Sequence, residues 1–242
     1  MNWQPLHNEL ALWPATGRKP VFWWRDDDAI SDTPKLRTLL SVVGQIPVVL
    51  AVIPAQCDHS LKAVLAAYPA LSVIQHGWNH TKHLGQTSEY PPARDAVVVY
   101  NELKAGADRL SELFGVRFVR AFAPPFHGWS SDFTALLEVI GMTGFTVRGT
   151  GPAGPIRSLK NVNCHVAPIV WSSPPTLGDP DTYIAAIVAE LQQRRLSGST
   201  APIGILTHHL AHDAVITGFI GQLVAHLAPS VTFVGGPSIL GP

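Results

Sequence analysis

Cysteine is almost missing from this chain. Cys57 and Cys164 stand far apart among 242 residues with no CxxC spacing, which excludes a disulfide framework and a cysteine-rich metal site. Both are expected to be ordinary buried thiols of a reducing compartment. Charge is scarce too: Asp, Glu, Lys and Arg make up 14% of residues and cancel to a formal net charge of zero. Without a basic run there is no electrostatic footprint for nucleic acid or another polyanion. No apolar stretch approaches the length of a membrane span, and Met1-Asn2-Trp3-Gln4-Pro5 leads into no basic-then-apolar leader. The expectation is therefore a cytoplasmic protein with no signal peptide and no membrane span.

What the chain has is apolar bulk, 46% of its residues, enough for a well-buried core rather than disorder. Residues 3–12 read as a short helix, and Val21-Phe22-Trp23-Trp24 as a strand ending at Arg25. Thr33-Pro34 reads as N-cap and N1 of a helix with Leu36, Leu39, Leu40 and Val43 on one face, closed by Gly44. Strands follow at 47–53 and 71–75, around a short helix at 60–67. Val99, Leu103, Leu110 and Leu113 mark a longer helix to Gly115, and 117–123 a strand. Ser131 is placed as the cap of a helix stopped by Gly141, with a strand at 145–148, a Gly/Pro loop at 149–158 and an extended run at 162–171. Asp179-Pro180 opens a further helix, 203–207 is a strand, Asp213 caps a helix through Leu227, and 231–234 is the last strand.

Strands alternating with helices predict a parallel α/β protein. With no linker or break in composition, residues 1–242 read as one domain with 1–20 as an N-terminal extension. A (β/α) barrel suits the pattern better than an open dinucleotide-binding sheet, which would want a glycine-rich phosphate loop after its first strand. Three aspartates stand there instead, Asp26-Asp27-Asp28. In such barrels function gathers at the C-terminal ends of the strands. Seven of the 11 histidines fall in three of those loops: His76, His80 and His83; His127; and His208, His209 and His212.

His76 and His80 are four apart, so one helical turn would put both imidazoles on one face. Such a pair is weak evidence alone. Beside an aspartate at a neighbouring strand end it becomes an Asp-His-His set, three protein ligands with room left for water, as in catalytic metal sites.

Arg25-Asp26-Asp27-Asp28-Ala29, His76-xxx-His80, Phe122-Ala123-Pro124-Pro125-Phe126 and Ile205-Leu206-Thr207-His208 resemble, in order and approximate spacing, the motifs of the polysaccharide deacetylase superfamily (NodB homology, carbohydrate esterase family 4). The chain looks most similar to a bacterial branch whose first motif reads Arg-x-Asp-Asp. The resemblance implies a distorted (β/α)7 barrel and a divalent metal, usually zinc. Carried over by position, Asp27 is the general base and Asp28 a metal ligand, with a one-residue shift (Asp26 and Asp27) left open. His76 and His80 match the metal histidines and His208 the general acid, with neighbouring His209 as its alternative. Pro125 and the backbone of Phe126 fall where the family binds the reacting acyl group.

The chain departs from the pattern in three places. Ala123 stands where the family has an arginine that orients the base, and Arg25 or Arg148 are the available substitutes. His127 replaces a glycine, so that His127-Gly128-Trp129 could line the substrate groove. No carboxylate is evident behind the acid histidine; Asp213 is nearest. His83 is expected in a supporting position, and Trp78, Trp129 and Trp171 are candidate sugar-stacking rings or packing residues. The expected activity is deacetylation of an N-acetylated amino sugar or saccharide conjugate. Hydrolysis of a non-sugar C–N bond, or saccharide binding without catalysis, are the alternatives.

Overall fold

The computed structural model describes residues 1–83, 85–149 and 158–242, so most of the predicted 149–158 loop lies outside the described residues. β1 (Val21–Ala29), β2 (Val48–Val52), β3 (Ser72–His76), β4 (Phe118–Ala123), β5 (Gly144–Phe145) and β6 (Lys160–Asn161) are successive neighbours in one parallel sheet. The first four are separated by α2 (Pro34–Val43), α3 (Ser60–Ala67) and α4 (Ala96–Phe114), after an N-terminal α1 (Gln4–Leu10); α5 (Thr134–Val139) follows β4. Further on come β7 (Ile169–Val170), β8 (Thr176–Leu177), α6 (Pro180–Ser197), β9 (Ile203–Thr207), α7 (Ala214–Leu227), β10 (Thr232–Phe233) and α8 (Gly236–Leu240).

β9 pairs with the edge of β1 from Phe22–Ile203 to Asp26–Thr207, and β10 pairs with Val21 and Phe22. Single parallel bridges, Arg148–Cys164 and Val166–Ile205, link the β5 side back to β9. The sheet thus curls into a distorted (β/α)7 barrel whose last seam is isolated bridges rather than a ladder.

Side chains alternate along each strand. Trp23, Val49, Ala51, Ile74, Val119, Ala121, Ala123 and Leu206 form the small barrel interior. Phe22, Trp24, Leu50, Val73, Phe122 and Ile205 face outward and pack under the helices. Because both faces are covered, the strands read as continuous apolar runs.

Local chemistry sets the helix limits. Thr33 accepts from the Leu36 N–H to start α2, and Gly44, at φ +62°, ends it. Asp95 accepts from the Val97 and Val98 N–H groups, so α4 starts three residues before its first apolar marker, Val99. Ser130, not Ser131, caps the turn preceding α5. The expected single run at 162–171 is partly an antiparallel β7–β8 hairpin. α8 was not anticipated, since its Gly-Pro start carries no apolar period. α1 is docked: Leu6 and Leu10 are buried and Glu9 pairs with Arg195 of α6 at 2.6 Å. Among the described residues no helix is long and apolar enough to cross a membrane.

Candidate metal centre

Strand alternation sorts the first part of the acidic run. Arg25 and Asp27 share the parity of Trp23 and face the barrel interior, while Asp26 shares the outward parity of Trp24. At Asp28 the alternation breaks: φ is +68°, and the β1–β2 register slips between Asp26 and Ala29. Such a bulge re-aims a side chain, here bringing Asp28 beside the histidines that follow β3.

His76 is the last residue of β3, and the helical turn expected between it and His80 does not form. Residues 77–80 instead make a bend with Gly77 at φ +61° and His80 at φ +60°. Glu89 holds that bend. Its Oε1 accepts from the Trp78 N–H (3.1 Å) and the Asn79 N–H (2.9 Å), and the carboxylate is fully buried. A Cβ on Gly77 would lie 2.0 Å from Glu89 Oε2, so the glycine and the glutamate require each other. Burial raises the Glu89 pKa against the pull of the two N–H groups. Sequence reasoning missed Glu89, because an isolated acid in a loop carries no spacing signal.

The bend brings both imidazoles to one carboxylate. His76 Nε2 and His80 Nε2 each lie 3.2 Å from Asp28 Oδ1. His76 donates its Nδ1–H to the Ala123 carbonyl at 2.9 Å, which aims Nε2 at Asp28 Oδ1: a protonated ring donates to it, and a neutral ring presents the lone pair that a metal ligand needs. Asp28 Oδ1 is itself buried without a hydrogen bond. Ligand atoms about 2.0–2.2 Å from a tetrahedral zinc lie roughly 3.3 Å apart, so these three residues fit a divalent cation. Among the described residues this is the one His/Cys/Asp/Glu group with ligand atoms so close together. Burial opposes ionisation of Asp28, but the two imidazoles outweigh it and hold the carboxyl far below its usual range. Burial likewise pushes His76 down, and Asp27 and Asp28 more than offset it.

Asp27 is gripped by Arg25, whose Nε lies 2.8 Å from Oδ1 and whose Nη2 donates to Oδ2 at 3.1 Å. Arg25 Nη1 donates to Thr146 Oγ1 at 2.8 Å, and all three residues are buried. Burial works to raise the Asp27 pKa and the guanidinium charge wins, so the carboxyl is held low. Of the two arginines considered as substitutes at Ala123, Arg25 makes this contact; Arg148 is exposed.

His208 Nε2 lies 3.8 Å from Asp27 Oδ2, and burial lowers the His208 pKa against the attraction of Asp27 and Asp28. The ring of Trp171, 60% exposed on the β7–β8 hairpin, stands edge-on to His208 with centroids 4.8 Å apart. His209 is turned away and fully buried against Asp26. Asp213 does not back His208: it caps α7, accepting from the Ile216 N–H at 2.8 Å. His83 lies outside the Asp28 group, beside Arg94, whose charge adds to burial in lowering its pKa.

Pro125, Phe126 and His127 form a tight turn after β4, with Phe126 at φ +57° and His127 at φ +56°. The exposed Phe126 ring packs on His80, centroids 4.3 Å apart, and Lys82 Nζ sits 4.9 Å from its centre. His127 is exposed at the same rim. Trp129, open in the sequence between a groove ring and a packing residue, packs inward. Its ring meets Tyr90, Phe122, Phe133 and Phe145, and its Nε1 donates to Thr134. Trp78 is half-buried, its backbone tied into the bend.

His212, at the end of the turn after β9, is buried, and burial pushes its pKa down to about 4 from 6.5. An unfolded chain takes up that proton at the ordinary pKa, whereas the native chain resists until about pH 4. Stability should therefore fall with pH across this window, by about 1.4 kcal/mol per pH unit from this residue. Urea denaturation at pH 7 and pH 5 should show wild type losing about 2 kcal/mol more than His212→Asn. Equal losses would count against it.

The chain is a distorted (β/α)7 barrel with an aspartate and two histidines converging at its strand ends as a candidate cation site. Solved structures sharing this fold are family 4 carbohydrate esterases and polysaccharide or peptidoglycan deacetylases. The family 4 carbohydrate esterase of Streptomyces lividans, in complex with acetate, is 15% identical with a TM-score of 0.57, over 93% of this chain and 97% of that one. The peptidoglycan deacetylase PdaC of Bacillus subtilis is 11% identical with a TM-score of 0.57, over 92% and 90%. A family 4 acetyl xylan esterase of Clostridium thermocellum, in complex with a cobalt ion, is 12% identical with a TM-score of 0.54, over 90% and 89%. No family model and no curated protein matches the sequence.

Proposed function

We propose that this protein is a metal-dependent deacetylase that hydrolyses an N-acetyl group on an amino sugar or saccharide conjugate. The observation that carries the reading is the convergence of His76 and His80 on Asp28 Oδ1, 3.2 Å from each, as the one close His/Asp group among the described residues. These three residues would hold a divalent cation, zinc by the chemistry of two imidazoles and one carboxylate. Such a cation, when bound, polarises an acyl carbonyl and makes hydroxide available near neutral pH.

The chain's own groups supply the rest. Asp27, kept ionised and oriented by Arg25, would take the proton of the attacking water. The backbone N–H of Phe126 would donate to the oxyanion of the tetrahedral intermediate. An amine leaves poorly as its anion, so His208 would deliver a proton to it from Nε2. Trp171, exposed beside His208, offers an apolar face for a sugar ring. The acetate and deacetylase descriptions of the structural neighbours agree with acyl transfer to water as the reaction class.

The test is metal analysis of the purified protein together with acetate release from a panel of N-acetylated mono- and oligosaccharides. About one cation per chain, with acetate release abolished by a chelator and restored by zinc or cobalt, is the expected result. Bound metal with no acetate release from any member of the panel, or neither metal nor turnover, overturns the deacetylase reading.

A further inference from the structure

In the family's first motif this chain carries an additional acid, Asp26, that the proposed reaction does not use. It is fully buried on the outward side of β1, away from Asp27 and Asp28. Its carboxylate accepts three hydrogen bonds from β9 and the turn that follows. Thr207 Oγ1 donates to Oδ2 at 2.6 Å, the His209 backbone N–H donates to the same oxygen at 3.0 Å, and His209 Nδ1 meets Oδ1 at 2.5 Å. Trp24 Nε1 in turn donates to Thr207 Oγ1 at 2.9 Å. Thr207 and His209 are both fully buried.

Those two residues flank His208. Strand parity puts Leu206 inside the barrel and Ile205 outside, so Thr207 and His209 fall outward and His208 points inward to Asp27. One carboxylate thus holds the backbone on both sides of the inward-facing imidazole. Asp26 also pairs directly across the sheet with Thr207, so the clamp spans the same two strand ends that carry Asp27 and His208. Among the described residues, His208 has no carboxylate of its own beyond the 3.8 Å approach of Asp27, and Asp213 is committed to α7. The clamp thus adds to the β1–β9 ladder in holding the two strand ends together.

We infer that Asp26, through Thr207 and His209, is a positioning residue that sets His208 for proton delivery to the leaving group. The inference rests on the reading of His208 as that proton donor. Leaving-group dependence separates positioning from general stability. An amide needs its nitrogen protonated to depart, whereas 4-nitrophenolate leaves as the anion. A displaced His208 should therefore slow hydrolysis of an N-acetyl sugar and spare 4-nitrophenyl acetate.

Wild type, His208→Ala, Asp26→Asn, Thr207→Val and Thr207→Ser would be assayed on both substrates at matched metal content. Thr207→Val is nearly isosteric, which covers the case where Asp26→Asn does not fold. Proton donation is worth about 10²–10⁴-fold, so a partly displaced donor should cost roughly tenfold or more on the amide. The ester rate should stay within about twofold, and Thr207→Ser, which restores the hydroxyl, should recover the amide rate. If Thr207→Val and Asp26→Asn keep the wild-type ratio of amide to ester rates while His208→Ala lowers it, the clamp has no such role. If His208→Ala itself slows both substrates equally, His208 is not the proton donor and the inference goes with that reading.

Discussion

Asparagine at position 28 should abolish the proposed cation binding and acetate release while leaving the barrel folded. Asp28→Asn keeps the volume and one acceptor oxygen but removes the charge that balances two imidazoles 3.2 Å away. Losing a group that merely supports a ligand costs about 10–100-fold in metal affinity or activity, so loss of a charged ligand should cost more than about a hundredfold in acetate release. The side chain is half-buried at a strand end rather than packed in the core. Melting curves in chelator should therefore nearly coincide for variant and wild type. Metal analysis after gel filtration is the direct check, and full retention of metal by Asp28→Asn would rule out this carboxylate as a ligand.

The second large effect is expected at Arg25, and it falls on stability as well as on rate. Arg25 and Asp27 are buried together, and removing one partner of such a pair leaves an uncompensated charge at a cost of about 3–5 kcal/mol. For a chain of this size that lowers the melting temperature by roughly 6–20 °C. Arg25→Ala should show this near pH 7 and much less in acid. The Asp27 carboxyl is held below its ordinary pKa in the native state, so the pair's contribution is present above the unfolded-state value and is lost as pH falls through the lower native one. Arg25→Lys should recover part of the stability but little of the activity, since an ammonium cannot fork onto both oxygens of Asp27. Both variants should keep bound metal. An Arg25→Ala protein as stable as wild type at pH 7 would sink this account of the pair.

How much of this was legible beforehand depends on the kind of signal each residue carries. The barrel was legible because both faces of its strands are buried, so β2 and β9 read as unbroken apolar runs. The helices were legible from their caps, Thr33-Pro34 and Asp179-Pro180 among them. The aspartate run and the His76/His80 spacing marked the strand ends at which chemistry gathers. The manner of convergence was not legible. A spacing of four suggested a helical turn, whereas the imidazoles meet through a bend held by Glu89, further along the same β3–α4 connection. Trp129 stayed open between groove and packing because its neighbours are loop-forming, and it packs into an aromatic cluster that no local pattern announces. The register of the aspartates stayed open in the sequence, since Asp26, Asp27 and Asp28 are chemically alike.

The sequence by itself determined the fold class, the strand ends that matter and the residue types available there, because burial, capping and composition act locally along the chain. Only the tertiary structure decided which aspartate meets which partner: Asp26 with His209, Asp27 with Arg25 and His208, Asp28 with His76 and His80. The reason is geometric. Strand alternation sends Asp26 and Asp27 to opposite faces, a bulge turns Asp28 out of that alternation, and each carboxylate takes its role from whatever the rest of the barrel has brought to its side.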